Sequence, residues 1–533
     1  MLKKRNAAQA GLAVLLASGM LLAGCGANNA DGSNNAGGAN NAANENTAGN
    51  AQNADGSSSS NAATASAPSA SDLKPYELKI AFWGDDQKDL PEVEEAMNNI
   101  LKAKINATIK VMPIARSQWA QQSNLMLTSG EKMDLIIGST LTNFPSQAAN
   151  GVYAPLDDLL AKYGSDIQAV VTPAQLSTAK VNGQLYAVPT IKDMAQYYGI
   201  MMRKDLVDKY HIDVTKIKTL DDLTAVFQTI KGNEPDVTPL VAKNPGTSPF
   251  YAGYLPFDPL GGSIGVLPDY DNGLKVADWY ETPQYAAELD LMHGWYQAGY
   301  LPKDAATSKQ SGNELLKAGK AFAILGNLKP GSDAEASRVV GQEMVSARLT
   351  ADHATSDMIN NSMWAIPKSS GDPDRAMMLM NLLYSDKELF NLLAWGIEGK
   401  DYVKKSDNVI DFPEGIDITN VGYNFNLSYL FGNQFLSYNW AAEDPDIWKK
   451  IDAFNKNATP SKALGFTFDV TNVKTEIAAA SNVVNEFSIG LETGTLDPKE
   501  VLPKFIAKLK AAGADKIVAE KQKQLDEWAK TQQ

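Results

Sequence analysis

The apolar positions of this chain change their period repeatedly, and the changes mark its elements. Residues 78–83 (Leu-Lys-Ile-Ala-Phe-Trp) read as a strand, and apolar Val93, Met97, Ile100 and Leu101 recur at helical spacing over residues 91–102. A second strand over 108–112, a helix over 119–127 and a third strand over 134–138 continue the alternation. Strands alternating with helices predict a parallel sheet covered by helices, with ligands bound beyond the carboxyl ends of the strands. Residues 184–189 form another strand-like run, and Pro189 forces the chain out of that sheet. Residues 197–206 then enter a new lobe, 244–268 form a long loop rich in Gly and Pro, and 321–326 form a buried strand. Residues 362–367 read as a return crossing, followed by a helix with Asp372 as N-cap and Pro373 at its first position. Met377, Met378 and Met380 on that helix are read as core filler. Two amphipathic helices end the chain. Asp497 and Pro498 start the first, and Ile517, Val518, Leu525 and Trp528 give the second its apolar stripe. The pattern predicts an α/β protein with two hinged lobes.

Composition separates this folded part from what precedes it. Residues 26–71 are almost entirely Asn, Ala, Gly and Ser, with no aromatic residue. Such a segment cannot bury a core and is expected to be disordered, a leash with a root-mean-square span of roughly 35–40 Å. The remaining stretch of about 460 residues is too long for one core, so two or more lobes are expected. The net charge is −14, and removing residues 1–24, which carry three positive charges and no negative one, leaves −17. With no Lys/Arg cluster in what remains, nucleic acid is not expected as a partner.

The N-terminus adds an address. Lys3, Lys4 and Arg5 precede the apolar run 11–22, which is too short for a permanent membrane helix, and residues 1–24 are read as a signal peptide. Leu22-Ala23-Gly24-Cys25 resembles the lipobox of bacterial lipoproteins, which implies that Cys25, the only cysteine, is acylated, with palmitate-type chains. Residues 25–72 would then be the lipidated cysteine and its linker. With Cys25 lipidated, no thiol remains for a disulfide, a zinc site or a nucleophile.

Further along, Phe431-Gly432-Asn433-Gln434-Phe435-Leu436, Glu443-Asp444-Pro445-Asp446, Gly465-Phe466-Thr467-Phe468-Asp469, the run 395–403 and the ending Ile517-Val518-Ala519-Glu520-Lys521-Gln522 are distinctive. Together they resemble the LipO-type extracellular solute-binding lipoproteins of Gram-positive ABC importers, within a wider group that looks like maltose-binding protein. The resemblance implies a two-lobe, periplasmic-binding-protein-like (type II) fold with a hinge and an interlobe cleft. Lobe one would hold 73–190 and 365–465, and lobe two 191–364 and 466–533. It also implies a monomer, anchored by lipid at the extracellular face of the membrane, that delivers a small solute, most often an oligosaccharide, to the transmembrane subunits of a permease. No cofactor and no metal is expected.

A sugar presents a face of C–H groups to an aromatic ring and a rim of hydroxyls to planar polar groups. Of nine tryptophans, Trp83, Trp364, Trp395 and Trp440 fall near strand ends, crossings or loops, and are candidate platforms. Asp85, Ser139, Thr140, Asp193 and Asn327 follow strands or crossings and could reach hydroxyls, although Asp and Ser there also cap helices. Tyr197 and Tyr423 lie in aromatic-polar loops. Trp448 and Trp528 sit on helical stripes and are read as packing. Enzyme signals are weak. Gly261-Gly262-Ser263-Ile264-Gly265 fits a nucleophile elbow, but the flanking prolines leave no strand before it or helix after it. Residues 312–320 miss the phosphate-loop spacing, 269–273 put glycine where a third calcium ligand belongs, and the three histidines stand at no metal spacing. The alternative is an extracytoplasmic glycoside hydrolase or lyase with two carboxylates across a sugar cleft.

Overall fold

A computed structural model describes residues 70–139, 142–250, 257–269 and 273–532. The signal segment, Cys25, the linker up to residue 69 and Thr140 lie outside the described residues. Strand β1 (Tyr76–Trp83), helix α1 (Leu90–Ile105), β2 (Ala107–Ile114), α2 (Arg116–Ser129) and β3 (Leu135–Gly138) follow the alternation expected from the sequence. After β4 (Ala187–Pro189) the chain crosses over residues 190–196 into β5 (Tyr197–Arg203), β6 (Thr238–Leu240), β7 (Ala321–Leu328), α3 (Ser332–Val340) and β8 (Met344–Arg348). It returns through 349–362 into β9 (Met363–Ala365), α4 (Pro373–Ser385) and α5 (Lys387–Trp395). A third passage runs along α6 (Ile447–Asn457), and the chain closes with α7 (Lys474–Glu492), α8 (Pro498–Ala511) and α9 (Ala514–Thr531).

Two sheets divide these strands. The first has the order β2-β1-β3-β9-β4, with β1 parallel to β2 from Tyr76↔Ala107 to Trp83↔Ile114. Its strands are not all parallel: β9 runs antiparallel to both β3 and β4, because the chain re-enters the sheet from the other lobe. The second sheet, β8-β5-β7-β6, sets β5 antiparallel to both neighbours. Gly199 on β5 lets the strands approach: a Cβ there would stand 2.6 Å from the Ala347 carbonyl oxygen.

Each sheet has its own core. Phe82, Ile136, Trp364, Met377 and Leu393 belong to the first, and Ile200, Phe227, Trp295 and Phe322 to the second. The three methionines of α4 are buried there as filler. Asp372 caps α4 by accepting from the Arg375 backbone N–H, and Asp497 caps α8 through Lys499 N–H. A third core joins α7–α9 to residues 257–285 through Phe257, Trp279, Tyr285, Leu491, Phe505 and Ile517. The sequence predicts two terminal helices, and the structure has three. Helix α7 buries Ala480, Gly490, Leu491 and Glu492, only one of them a large apolar residue, so its apolar stripe is faint. No helix among the described residues is long and apolar enough to cross a membrane.

Candidate functional site

The three passages between the sheets are stitched to one another. Lys192, 2% exposed, donates to the carbonyls of Asp193 (3.3 Å) and Met358 (3.1 Å), tying the first passage to the second. Burial pushes its ammonium down to about 8. Asn455 on α6 accepts from the backbone N–H groups of Met194 and Ala195 and donates to the Lys192 carbonyl, tying in the third. Gly432 and Gln434, within the Phe-Gly-Asn-Gln motif, bond the backbone of Ile191 on both sides.

Beside these passages lie two adjoining cavities of about 530 and about 450 Å³. Asp193, Lys329, Glu335 and Asn361 line both. The first is walled by the end of β7, by α3 and by Thr355, Asp357 and Met358 of the second passage. The second sets Lys329, Gly331 and Arg338 on one side against Trp395, Tyr429, Tyr438, Trp440 and Trp448 on the other. At the partition the Asp193 carboxylate is 2.8 Å from the Lys329 ammonium. Burial opposes ionisation of Asp193, but the Lys329 and Lys192 charges outweigh it and hold the carboxyl below its usual range. Burial likewise opposes the charge on Lys329, and Asp193 overcomes it, raising that ammonium. Arg338 and Glu443 meet at 3.5 Å, joining α3 to the segment before α6. The aromatic wall is ordered: Trp395 Nε1 donates to Ser437 Oγ at 2.9 Å, Trp440 stands perpendicular to Trp395 at 5.4 Å, and Trp448 Nε1 donates to the Ser437 carbonyl at 2.9 Å. Planar rings beside paired charges suit a ligand with apolar faces and a hydroxyl rim.

Of the residues singled out from the sequence, Asp193, Asn327, Trp395 and Trp440 line these cavities. Asn327 Oδ1 is buried with no hydrogen-bond partner among the described residues. The others are placed differently. Trp364 is fully buried on β9 between β3 and β4, edge-on to Phe82 at 6.4 Å, so it offers no ring face. Trp83 is 3% exposed: Trp119 stands edge-on at 5.8 Å, the Arg116 guanidinium covers the ring at 5.1 Å, and its Nε1 donates to Tyr429 at 3.3 Å from behind the cavity wall. Tyr423 is sealed in the first core with its hydroxyl on the Leu393 carbonyl. The Tyr197 ring is covered by the Arg348 guanidinium at 3.9 Å. Ser139 is buried, its backbone N–H and carbonyl both bonded to the Thr142 hydroxyl, and Asp85 is exposed and lines neither cavity. Trp448, read as packing, lines the second cavity instead, because it flanks the buried Ile447–Ile451–Phe454 stripe of α6. Lys329, Glu335, Arg338 and Tyr429 are additions; the Pro330-Gly331 break after β7 is the signal that marks the first.

Two α/β lobes joined by three passages, with polar and aromatic walls facing across a cleft, define a hinged ligand-binding protein. The chain belongs to the bacterial extracellular solute-binding proteins, whose family profile matches residues 87–389. Residues 462–530 match a domain of unknown function, DUF3502. The chain is 29% identical, over 465 residues, to a carbohydrate ABC transporter substrate-binding protein of Streptococcus pneumoniae serotype 4, covering 85% of this chain and 91% of that one. The crystal structure of NgtS, an N-glycan transport solute binding protein from Streptococcus pneumoniae, matches with a TM-score of 0.75 and 28% identity, over 86% of this chain and 100% of that one. Its complex with Man1GlcNAc matches at 0.66 with 27% identity, over 85% and 100%. The alginate-binding protein AlgQ2 shares the fold, at 0.58 and 18% identity over 85% and 98%.

Proposed function

We propose that this protein is the substrate-binding component of a carbohydrate ABC importer and captures an oligosaccharide, of the mannose–N-acetylglucosamine kind, between its lobes. The observation that carries this reading is the second cavity, which the Asp193–Lys329 pair lines together with the half-buried Trp440 and Trp448, backed by the buried Trp395. Rings match the C–H faces of sugars, and paired charges match their hydroxyls. NgtS is solved with Man1GlcNAc and with Man5GlcNAc, which supports the ligand class. Those complexes superpose on this chain less well (0.66 and 0.64) than the NgtS structure with no stated glycan (0.75), as lobes that move on binding would. A glycan touching both lobes favours the closed state by its differential affinity.

The lobe division is taken as 73–190 with 365–465, and 191–364 with 466–533, except that β9 (Met363–Ala365), with Trp364, packs in the first lobe's sheet and core; a monomer is the working state. Cys25, in Leu22-Ala23-Gly24-Cys25, supports anchoring by acyl chains at the outer face of the membrane, with permease subunits as partners. Metabolic labelling with palmitate tests the anchor, and labelling that survives Cys25→Ala would refute it.

Calorimetry of the purified protein with Man1GlcNAc and Man5GlcNAc tests the function. Binding near micromolar Kd, roughly −8 kcal/mol, is expected, with a higher thermal midpoint and unaltered glycan by mass spectrometry. Absence of both heat and shift would overturn the ligand class, and accumulating cleavage product would make the protein a glycoside hydrolase or lyase instead.

A further inference from the structure

The C-terminal helices carry a buried cation that the cleft's own walls do not explain. Lys521 on α9 is 1% exposed, and its ammonium donates to three backbone carbonyls: Pro259 at 3.1 Å, Gly262 at 3.1 Å and Gly265 at 2.7 Å. An ammonium has three N–H donors and no acceptor, so this set saturates it. The three acceptors lie in the stretch around Gly261-Gly262-Ser263-Ile264-Gly265, whose elbow-like pattern has no catalytic context. The backbone there turns its carbonyls inward through left-handed positions, with φ of 48° at Leu260, 79° at Gly261 and 72° at Gly265. A Cβ on Gly265 would stand 3.0 Å from Lys521 Cδ and 3.2 Å from Val276 Cγ1, so glycine is what lets the side chain in. Converging carbonyls repel unless a cation sits among them, and Lys521 is that cation.

This loop also borders the first cavity. Phe257 and Pro259 line the first cavity, and so does Asp357, which belongs to the second interlobe passage. Asp258, 1% exposed, closes the loop by accepting from Leu260 N–H at 3.0 Å. Burial opposes the charge on Lys521, and the nearby carboxyl groups of Asp357, a cavity-lining residue, and Asp258 favour it. The Phe468 ring covers the ammonium at 5.1 Å.

We propose that Lys521 is a positioning residue for ligand binding, clamping the 259–265 loop so that Phe257, Pro259 and Asp357 form one wall of the cleft, and that this is a role of the C-terminal helices. The clamp sits 256 residues along the chain from the carbonyl of Gly265 it holds. The helices matching a domain of unknown function thereby act on affinity without touching the solute. This rests on the reading that the cleft takes an oligosaccharide.

The test compares wild type with Lys521→Met, which keeps the length of the side chain and removes its donors, and with Lys521→Arg. Man5GlcNAc is the probe, with calorimetry for Kd and hydrogen exchange for the amides of the loop. In Lys521→Met the loop amides are expected to exchange roughly tenfold faster without glycan and Kd to weaken roughly tenfold, with Lys521→Arg recovering most of both. A lower thermal midpoint with unchanged Kd would overturn the proposal and leave Lys521 a structural residue. Should Lys521→Met fail to fold, exchange on the wild type decides: saturating Man5GlcNAc should slow the loop amides, and an unchanged loop would overturn it. If wild type binds no Man5GlcNAc, the functional reading fails, while loop exchange in the unliganded Lys521→Met protein still decides the clamp.

Discussion

The Asp193 carboxylate and the Lys329 ammonium meet at 2.8 Å on the partition between the two cavities, one from the first interlobe passage and one just past the end of β7. The pair couples a hinge segment to the second lobe's sheet, and each partner keeps the other ionised against burial. A sugar hydroxyl arriving there meets a donor and an acceptor already aligned. Lys329→Met is expected to weaken glycan binding by about 1–3 kcal/mol, because Asp193 is left without its partner. Calorimetry measures it, and unchanged affinity would remove the pair from the site.

Trp440 and Trp364 should behave oppositely. Trp440 is half-buried on the wall of the second cavity, 4.4 Å from Phe412. Trp440→Ala is expected to weaken binding by about 1–3 kcal/mol with little change in thermal midpoint.

Trp364, with no exposed surface, is core. Trp364→Ala should cost about 3–5 kcal/mol of stability through the cavity it leaves, while the folded fraction binds glycan normally. Urea unfolding and calorimetry on the same preparation separate the two effects. A normal unfolding midpoint with lost binding would reverse this assignment.

Gly432 holds φ at 92°, and a Cβ there would stand 2.5 Å from the Leu383 carbonyl oxygen. Gly432→Ala should therefore destabilise by about 1–3 kcal/mol. Since the Gly432 carbonyl accepts from Ile191 N–H at 2.8 Å, the first passage loosens as well. Denaturant midpoints check the stability, and hydrogen exchange at Ile191 checks the coupling.

Glu492 gives the fold a pH dependence. It is buried on α7, accepts from the Tyr285 hydroxyl at 3.2 Å, and burial pushes its carboxyl up from 4.5 to about 8. Below 4.5 the group is protonated folded and unfolded alike, so nothing is lost there. As pH rises from 4.5 to about 8 the unfolded chain ionises while the folded one keeps its proton, so stability falls across that window and levels off above it. Burial of Asp278 and Asp357, each pushed up to about 6, adds the same sign at lower pH. The thermal midpoint should drop between pH 5.5 and 7, below the range in which the buried Lys521 and Lys192, pushed down to about 7 and about 8, oppose it, and Glu492→Gln should flatten much of that drop. Equal slopes for the two proteins would contradict it.

Local periodicities and punctuation determine much of this protein's secondary structure. Residues 78–138 alternate strand and helix as read, Pro189 ends the first passage's strand, and Asp372 with Pro373 starts α4. These features depend on neighbours within a few residues, which is why sequence carries them. Which aromatic ring meets the cleft is decided elsewhere. Trp364 follows a crossing, as the candidate platforms do, yet two strands distant in sequence close over it, while Trp448 on a helical stripe ends up in the cavity wall. Lys521 reads as one charge among many on an amphipathic helix until the fold brings carbonyls from residues 259–265 around it. Exposure and partnership are sums over contacts far apart in the chain, so only the packed lobes assign them.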